Sequence, residues 1–171
     1  MGKVKKPRPK ILDMEIAIAN HFNYRQHLIV PNLSWGMFHY ELDLCILSRA
    51  GYATEVEIKT SRADLIKDKE KRHGHHNSKV KYLYFALPYH LLKDIEHVPE
   101  RAGILIVEHQ EAWETYGYKI EAFYSCTKLR EARENNKYQW QDYERQDLLR
   151  LAAMRTWTLK RQLKKERDRH G

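Results

Sequence analysis

Three residues in the first half of the chain carry side chains that suit phosphodiester chemistry. Asp43 lies in one predicted strand, and Glu57 and Lys59 lie two positions apart in the next. Side chains two apart on a strand point to the same face, and a tight turn at 49–51 brings Asp43 beside them. Two carboxylates and an ammonium group at one point suit a divalent metal ion and a water molecule that attacks a phosphodiester.

The strands themselves are predicted from alternation. Residues 40–48 and 52–59 alternate between apolar and polar side chains, which is typical of paired strands with one apolar face. Like charges opposed across strands are destabilising, so an acidic face is easier to maintain when a cation neutralises it. Four acids share that face: Glu41, Asp43, Glu55 and Glu57. A solvated amphipathic hairpin is the alternative interpretation.

These residues resemble the PD-(D/E)xK nuclease superfamily, in which an acid on one strand precedes acid–any residue–Lys on the next. Asp43 matches the first acid, Glu57-Ile58-Lys59 matches the second element, and Glu15 matches a glutamate often present on a preceding helix. Leu42 stands where the family pattern has proline. The resemblance covers roughly residues 11–108, and the runs SRADL and KYLYFALP resemble a DNA-repair-like or phage-encoded branch.

The resemblance implies a fold of the α/β (α+β) class with a restriction-endonuclease-like core. Its mixed sheet would be flanked by helices in the order α-β-β-β-α-β, followed by a C-terminal helical extension. We predict a flexible basic arm over residues 1–10, a nuclease core over 11–126, and a basic helical extension over 127–171 that packs on the core.

Two helical predictions concern the ends of that core. The first helix is expected over 12–23, with Asp13 as a cap and an inner face formed by Leu12, Ile16 and Ala19. From residue 127 the chain is expected to be helical again, first in LREAR and then over about 141–167. The apolar residues of this last helix are expected to form one buried face.

The resemblance also implies a role for each site residue. Mg²⁺ or Mn²⁺ would bind Asp43, Glu57 and the backbone carbonyl of Ile58, because these ions prefer oxygen donors. Glu55 lies on the same strand face and is a reserve ligand, with an ordinary surface glutamate as the alternative interpretation. Lys59 would orient the attacking water or neutralise developing negative charge. The implied catalytic residues are Glu15, Asp43, Glu57 and Lys59.

Basic residues predict a polyanionic partner. The chain has 31 Lys and Arg against 23 Asp and Glu, a net charge of +8, with the excess at both ends. Such stretches supply affinity for phosphates that does not depend on sequence. Solubility charge or an anionic membrane surface are the alternatives. The residues expected to bind nucleic acid are Lys69, Lys71, Arg72, His73, His76, Lys160, Arg161, Lys164 and Lys165.

The histidine-rich loop HGHHNS at 73–78 admits other interpretations. A zinc site would need a fourth ligand at suitable spacing, and neither cysteine is near in sequence. An HNH nuclease would need a ββα frame, whereas this loop lies between a predicted helix and a predicted strand. We therefore expect the loop to contact phosphates, with a solvated polar loop as the alternative.

Two further features predict a cytoplasmic protein without a membrane segment. Cys45 and Cys126 are too few for a disulfide framework and are expected to be buried thiols. No apolar run approaches the length that spans a bilayer. A dimer is compatible with the sequence, which does not specify the oligomeric state.

The resulting expectation is a metal-dependent DNA endonuclease of repair or phage type. A non-catalytic nucleic-acid-binding module on the same fold is the first alternative. An RNA-directed nuclease with the same chemistry is the second.

Overall fold

A mixed β-sheet with helices on both faces organises the chain. The computed structural model describes residues 7–34, 38, 40–68 and 75–170. Within these residues the elements are, in chain order, α1 (Ile11–His21), β1 (Leu28–Leu33), β2 (Leu42–Leu47), β3 (Ala53–Ile58), α2 (Arg62–Asp68), β4 (Tyr82–Pro88), a 3₁₀ helix (Tyr89–His97), β5 (Gly103–Gln110), β6 (Trp113–Thr115), β7 (Tyr118–Ile120), β8 (Phe123–Arg130) and α3 (Asp142–His170).

The main sheet has six strands in the order β1-β2-β3-β4-β5-β8. The β1–β2 and β2–β3 pairs are antiparallel, the β3–β4 and β4–β5 pairs are parallel, and β8 closes the sheet antiparallel to β5. Strands β6 and β7 form a separate hairpin. The predicted class, a mixed α/β sheet flanked by helices, is confirmed.

Helix α1 covers one face of the sheet with a side that differs from the predicted one. Met14, Ala17 and Ile18 are buried against β2–β5, whereas Leu12 and Ile16 are more than half exposed. Apolar residues occur on all sides of this helix, so periodicity alone could not select its inner face. Its cap also differs: the Asp13 carboxylate accepts a hydrogen bond from the backbone N–H of Lys10, the N-cap residue.

The opposite face of the sheet is covered in two parts. Over β1 and β2, the start of α3 packs through Leu148 and Leu151, next to Trp140. Over β4 and β5, α2 packs through Leu65 and the 3₁₀ helix packs through Leu91. Strand β3 lies between these two apolar clusters. After Ala53, its side chains on this face are the carboxylates of Glu55 and Glu57.

The C-terminal third differs from the prediction in two respects. Strand β8 continues to Arg130, so the predicted boundary after residue 126 falls inside a strand and LREAR is not helical. Long-range pairing decides this, because Arg130 pairs with Ile104 and its guanidinium donates to the carbonyls of Pro99 and Ala102. Helix α3 begins close to the predicted position, but several apolar residues expected to be buried are exposed: Leu149, Met154, Trp157 and Leu159.

Both cysteines are free thiols, as expected, with Cys45 buried and Cys126 half-buried. Among the described residues, none of the helices is both long enough and apolar enough to cross a membrane.

Candidate functional site

The predicted hairpin is present and places the acidic residues of β3, Glu55 and Glu57, on one face of the sheet. Cys45 pairs with Glu55 and Leu44 with Val56 across the antiparallel strands. Gly51 makes the turn with a φ of 83°, and a Cβ at this position would lie 2.2 Å from the guanidinium of Arg145. The left-handed backbone favours glycine here, whereas the Arg145 guanidinium is the end of a flexible side chain that can move aside.

Asp43 lies at the end of the hairpin, beyond the last regular pair of β2 and β3. Its carboxylate oxygen Oδ2 accepts a hydrogen bond from the backbone N–H of Ile58 at 2.7 Å. The Asp43 side chain thus accepts the hydrogen bond that a backbone carbonyl of β2 would accept in a regular antiparallel pair. Asp43 is half-buried.

Glu15 approaches the same place from α1. Burial raises the pKa of its carboxyl, and the negative charge of Asp43 raises it further. The two acids are therefore close enough to interact electrostatically. The structure brings together the first strand acid and the helical acid that the sequence singled out.

Glu57 and Lys59 share one face of β3, as predicted, and both are buried. Asp43, predicted on that face as well, instead contacts the Ile58 backbone and lies near Glu15 of α1. The Lys59 Nζ lies 2.8 Å from Glu57 Oε2 and 2.7 Å from Asp68 Oδ1. Burial alone would lower the pKa of Lys59, but the two carboxylates outweigh it and raise the pKa well above its ordinary value. Lys59 is therefore a charged ammonium ion held between two acids.

His75 occupies the centre of this charged cluster, which corrects the prediction of a phosphate-contacting or solvated loop at this residue. Its Nδ1 lies 2.8 Å from Glu55 Oε1 and its Nε2 lies 2.7 Å from Asp68 Oδ2. Burial opposes the charged ring, yet these hydrogen bonds and nearby carboxylates raise the pKa of His75 to about 9. The rings of Tyr40 and Phe85 pack edge-on against the imidazole.

Glu55 is fully buried and belongs to the same cluster. The Tyr40 hydroxyl donates to Glu55 Oε2 at 2.9 Å, while His75 contacts the other oxygen. Burial raises the pKa of Glu55, although its contacts with His75 favour the charged carboxylate.

One group of three potential metal ligands is present among the described residues. Ligand atoms of Glu55, Glu57 and His75 lie within 4.8 Å of one another. A neutral imidazole nitrogen is required for metal binding. Both ring nitrogens of His75 face carboxylates, and its raised pKa favours the imidazolium ion, which has no lone pair to donate. In this arrangement the three residues form an ion network, and the same ligand atoms lie close enough together to hold a metal ion.

The sequence offered little to identify three members of this cluster: Tyr40, Asp68 and His75. They lie before β2, at the end of α2 and in the loop beyond it, and no motif spacing links them. Alternation on the hairpin predicted that a cation would neutralise its acids. Two protein cations, Lys59 and His75, lie among them.

The predicted nucleic-acid contacts fall into two groups. Lys69, Lys71, Arg72 and His73 lie outside the described residues, and His76 is exposed. Four residues are exposed on the distal half of α3: Lys160, Arg161, Lys164 and Lys165. The Lys160 Nζ lies 5.1 Å from the centre of the Trp157 ring, in a cation–π contact.

Comparisons with known proteins add information on the fold. No protein-family model matches the chain. No curated protein matches it either. Among solved structures, the chain is similar to the SPO1766 protein of unknown function from Silicibacter pomeroyi, with a TM-score of 0.57 and 18% identity over 99% of this chain and 97% of that one. The likeness extends over the whole fold.

Proposed function

We propose that this protein is a divalent-metal-dependent nuclease with a restriction-endonuclease-like core. DNA is the first candidate substrate, cut internally as by an endonuclease of repair or phage type. The observation that carries the proposal is the placement of Glu57 and Lys59 on one face at the end of β3. Ile58, the residue between them, donates a backbone hydrogen bond to the Asp43 carboxylate. Glu15 adds a fourth chemical group beside Asp43.

The ligand set that we favour for Mg²⁺ or Mn²⁺ consists of Asp43, Glu57 and the carbonyl of Ile58. In an extended strand the N–H and C=O of one residue point to the same side. The Ile58 N–H points to Asp43, so its carbonyl faces that side as well. Such an all-oxygen set suits these ions. Glu55 is less suitable as a reserve ligand because Tyr40 and His75 occupy both of its oxygens.

A bound divalent ion would supply Lewis acidity and activate water for attack on the phosphodiester. Glu57 would bind the ion through Oε2 once Lys59 releases that oxygen, and Asp68 already holds Lys59 at 2.7 Å. Lys59 would stabilise negative charge that develops on the phosphoryl oxygens. Glu15, with its raised pKa, is suited to exchange a proton near Asp43.

Plasmid nicking with Mg²⁺ or Mn²⁺, compared with EDTA, tests the proposal. Glu57→Gln and Lys59→Gln should each slow cleavage by roughly 10²-fold or more, since each removes charge needed in the transition state. Glu41→Gln is the matched control, because Glu41 is an exposed acid on the same hairpin. Circular dichroism verifies that each variant is folded. Nicking that is insensitive to EDTA, or equal in the Glu57 and Glu41 variants, would refute the proposal.

One observation favours a second candidate, a non-catalytic nucleic-acid-binding module. Glu57 and Lys59 are only 2% and 7% exposed and are engaged in ion pairs, as in a structural network. The same assay separates the two functions, because a binding module retards DNA without nicking it. An RNA substrate run in parallel distinguishes the RNA-directed nuclease. The free thiols Cys45 and Cys126 suit a reducing compartment, and we propose the cytoplasm.

A further inference from the structure

Two adjoining cavities lie near the carboxyl ends of the parallel strands β3, β4 and β5. One, of about 410 Å³, is lined by polar residues: Arg8, Ser61, Arg62, His90, Lys93 and Asp94. The other, of about 330 Å³, is lined by Pro7, Pro9, Tyr89 and Val107 together with the polar residues Glu108 and His109. Arg8 and His90 line both cavities, so the two lie side by side. Ligands of open α/β sheets bind at this edge.

The first cavity has the charge of an anion site. Arg8, Arg62 and Lys93 contribute three positive charges to its lining, against the single carboxylate of Asp94. The Arg62 Nε lies 3.0 Å from Asp94 Oδ1, which fixes the guanidinium at the cavity wall. Burial lowers the pKa of His90, and the positive charge of Arg8 lowers it further. Arginine and lysine together are the usual partners of a phosphate group.

Asp94 provides a second, independent indication of a ligand. It is only 5% exposed, and among the described residues its Oδ2 has no hydrogen-bond donor. Buried carboxylate oxygens are normally satisfied, so this atom calls for a donor. A phosphate alone offers no such donor when ionised, whereas the hydroxyl or amino groups of a nucleotide do.

The second cavity suits a planar apolar group. Tyr89 is half-exposed, and Pro7, Pro9 and Val107 add apolar surface. Nucleobases stack on aromatic side chains without requiring a particular base. The apolar cavity thus lies directly beside the basic one, so one ligand can occupy both.

We propose that the paired cavities bind a nucleotide that bears a terminal phosphate monoester, with its phosphate among Arg8, Arg62 and Lys93 and its base against Tyr89. The inference deepens the proposed function and rests on it for one point, that the nucleotide is the end of a nucleic-acid strand. Thr60 and Ser61 of the basic cavity follow Lys59 directly in the chain, so the strand end would lie beside the candidate site.

Fluorescence anisotropy in EDTA tests this binding without cleavage. Oligonucleotides with a 5′-phosphate, a 3′-phosphate or hydroxyls at both ends carry the dye away from the tested end. Either the 5′-phosphorylated or the 3′-phosphorylated oligonucleotide should bind about tenfold more tightly than the oligonucleotide with hydroxyls at both ends, as expected for charge-assisted hydrogen bonds. Lys93→Gln should remove most of this preference. Lys67→Gln, which removes an exposed charge from α2 outside the cavity, should preserve it.

Competition distinguishes a nucleotide from free phosphate. A nucleoside monophosphate should displace the oligonucleotide at a lower concentration than inorganic phosphate does, and Tyr89→Ala should abolish that advantage. Equal affinity for phosphorylated and hydroxyl ends, or equal loss in the Lys93 and Lys67 variants, would overturn the proposal. Equal competition by inorganic phosphate would overturn the role of Tyr89. Because EDTA excludes metal-dependent cleavage, these results are independent of whether the protein is a nuclease.

Discussion

The carboxylate of Asp43 accepts a hydrogen bond from the backbone N–H of Ile58 at 2.7 Å, where the regular pairing of β2 and β3 has ended. This contact makes Asp43 a structural residue as well as a candidate metal ligand. The two roles are separable, because an amide oxygen can accept the same hydrogen bond without carrying a charge.

Asp43→Asn should therefore leave stability within about 1 kcal/mol of the wild type while weakening the response to metal. Binding to the native state raises the melting temperature, so Mg²⁺ or Mn²⁺ should stabilise the wild type more than Asp43→Asn. A thermal-shift titration measures both effects. Glu41→Asn serves as the control on the same hairpin, and an identical metal response in all three proteins would contradict the assignment.

His75 should be essential for stability. His75→Ala leaves Glu55 and Asp68 buried without their shared cationic partner. Breaking a buried ion pair in this way costs about 3–5 kcal/mol. Urea denaturation of His75→Ala and His76→Ala provides the comparison, since His76 is the exposed neighbour and should cost little. Equal midpoints for the two variants would show that the network contributes no net stability.

Glu144 should make the attachment of α3 sensitive to acid. Its carboxylate lies 2.6 Å from Lys79 Nζ and accepts hydrogen bonds from the Tyr138 hydroxyl and the Gln141 N–H, each at 2.8 Å. Burial alone would raise the pKa of Glu144, but these contacts outweigh it and lower the pKa.

A lowered folded-state pKa stabilises the protein above the unfolded-state pKa, and this contribution is lost as the pH falls through the folded-state value. The wild type should therefore exceed Glu144→Gln in stability at neutral pH, with the difference shrinking below about pH 4.5. Denaturant melts across this range measure the difference. A gap between the two proteins that stays constant as the pH falls would contradict the prediction.

The distal half of α3 should supply phosphate affinity without contributing to chemistry. Replacing Lys160, Arg161, Lys164 and Lys165 with Gln should weaken binding to all DNA sequences. If each residue contacts one phosphate, the slope of log affinity against log salt should fall by about four. Circular dichroism checks that the helix persists. An unchanged slope would show that these exposed residues do not contact phosphates.

Local pattern was sufficient for the central hairpin. Alternation over 40–48 and 52–59, with a turn at Gly51, predicted β2 and β3 and the common face of Glu57 and Lys59. A period of two leaves no freedom in which face a side chain occupies once the strand forms. The class of the fold followed from the same kind of signal, because apolar patterns typical of strands and of helices both occur along the chain.

The tertiary structure decided whatever depended on contacts between distant segments. The buried face of α1 was selected by the sheet, since its sequence offers apolar residues on every side. Residues 127–130 form a strand because they pair with the edge of β5, and this pairing outweighs their helical propensity.

The positive charge in the acidic cluster also depends partly on local sequence and partly on the fold. The sequence by itself determined that the acids of β3 share one face and need a positive charge. Only folding determined that His75 joins Lys59 in supplying it, because His75 lies 20 residues from Glu55 along the chain and meets it through packing alone. Side-chain periodicity is a local property of the backbone, whereas the partner of a buried charge is set by which segments the whole chain brings together.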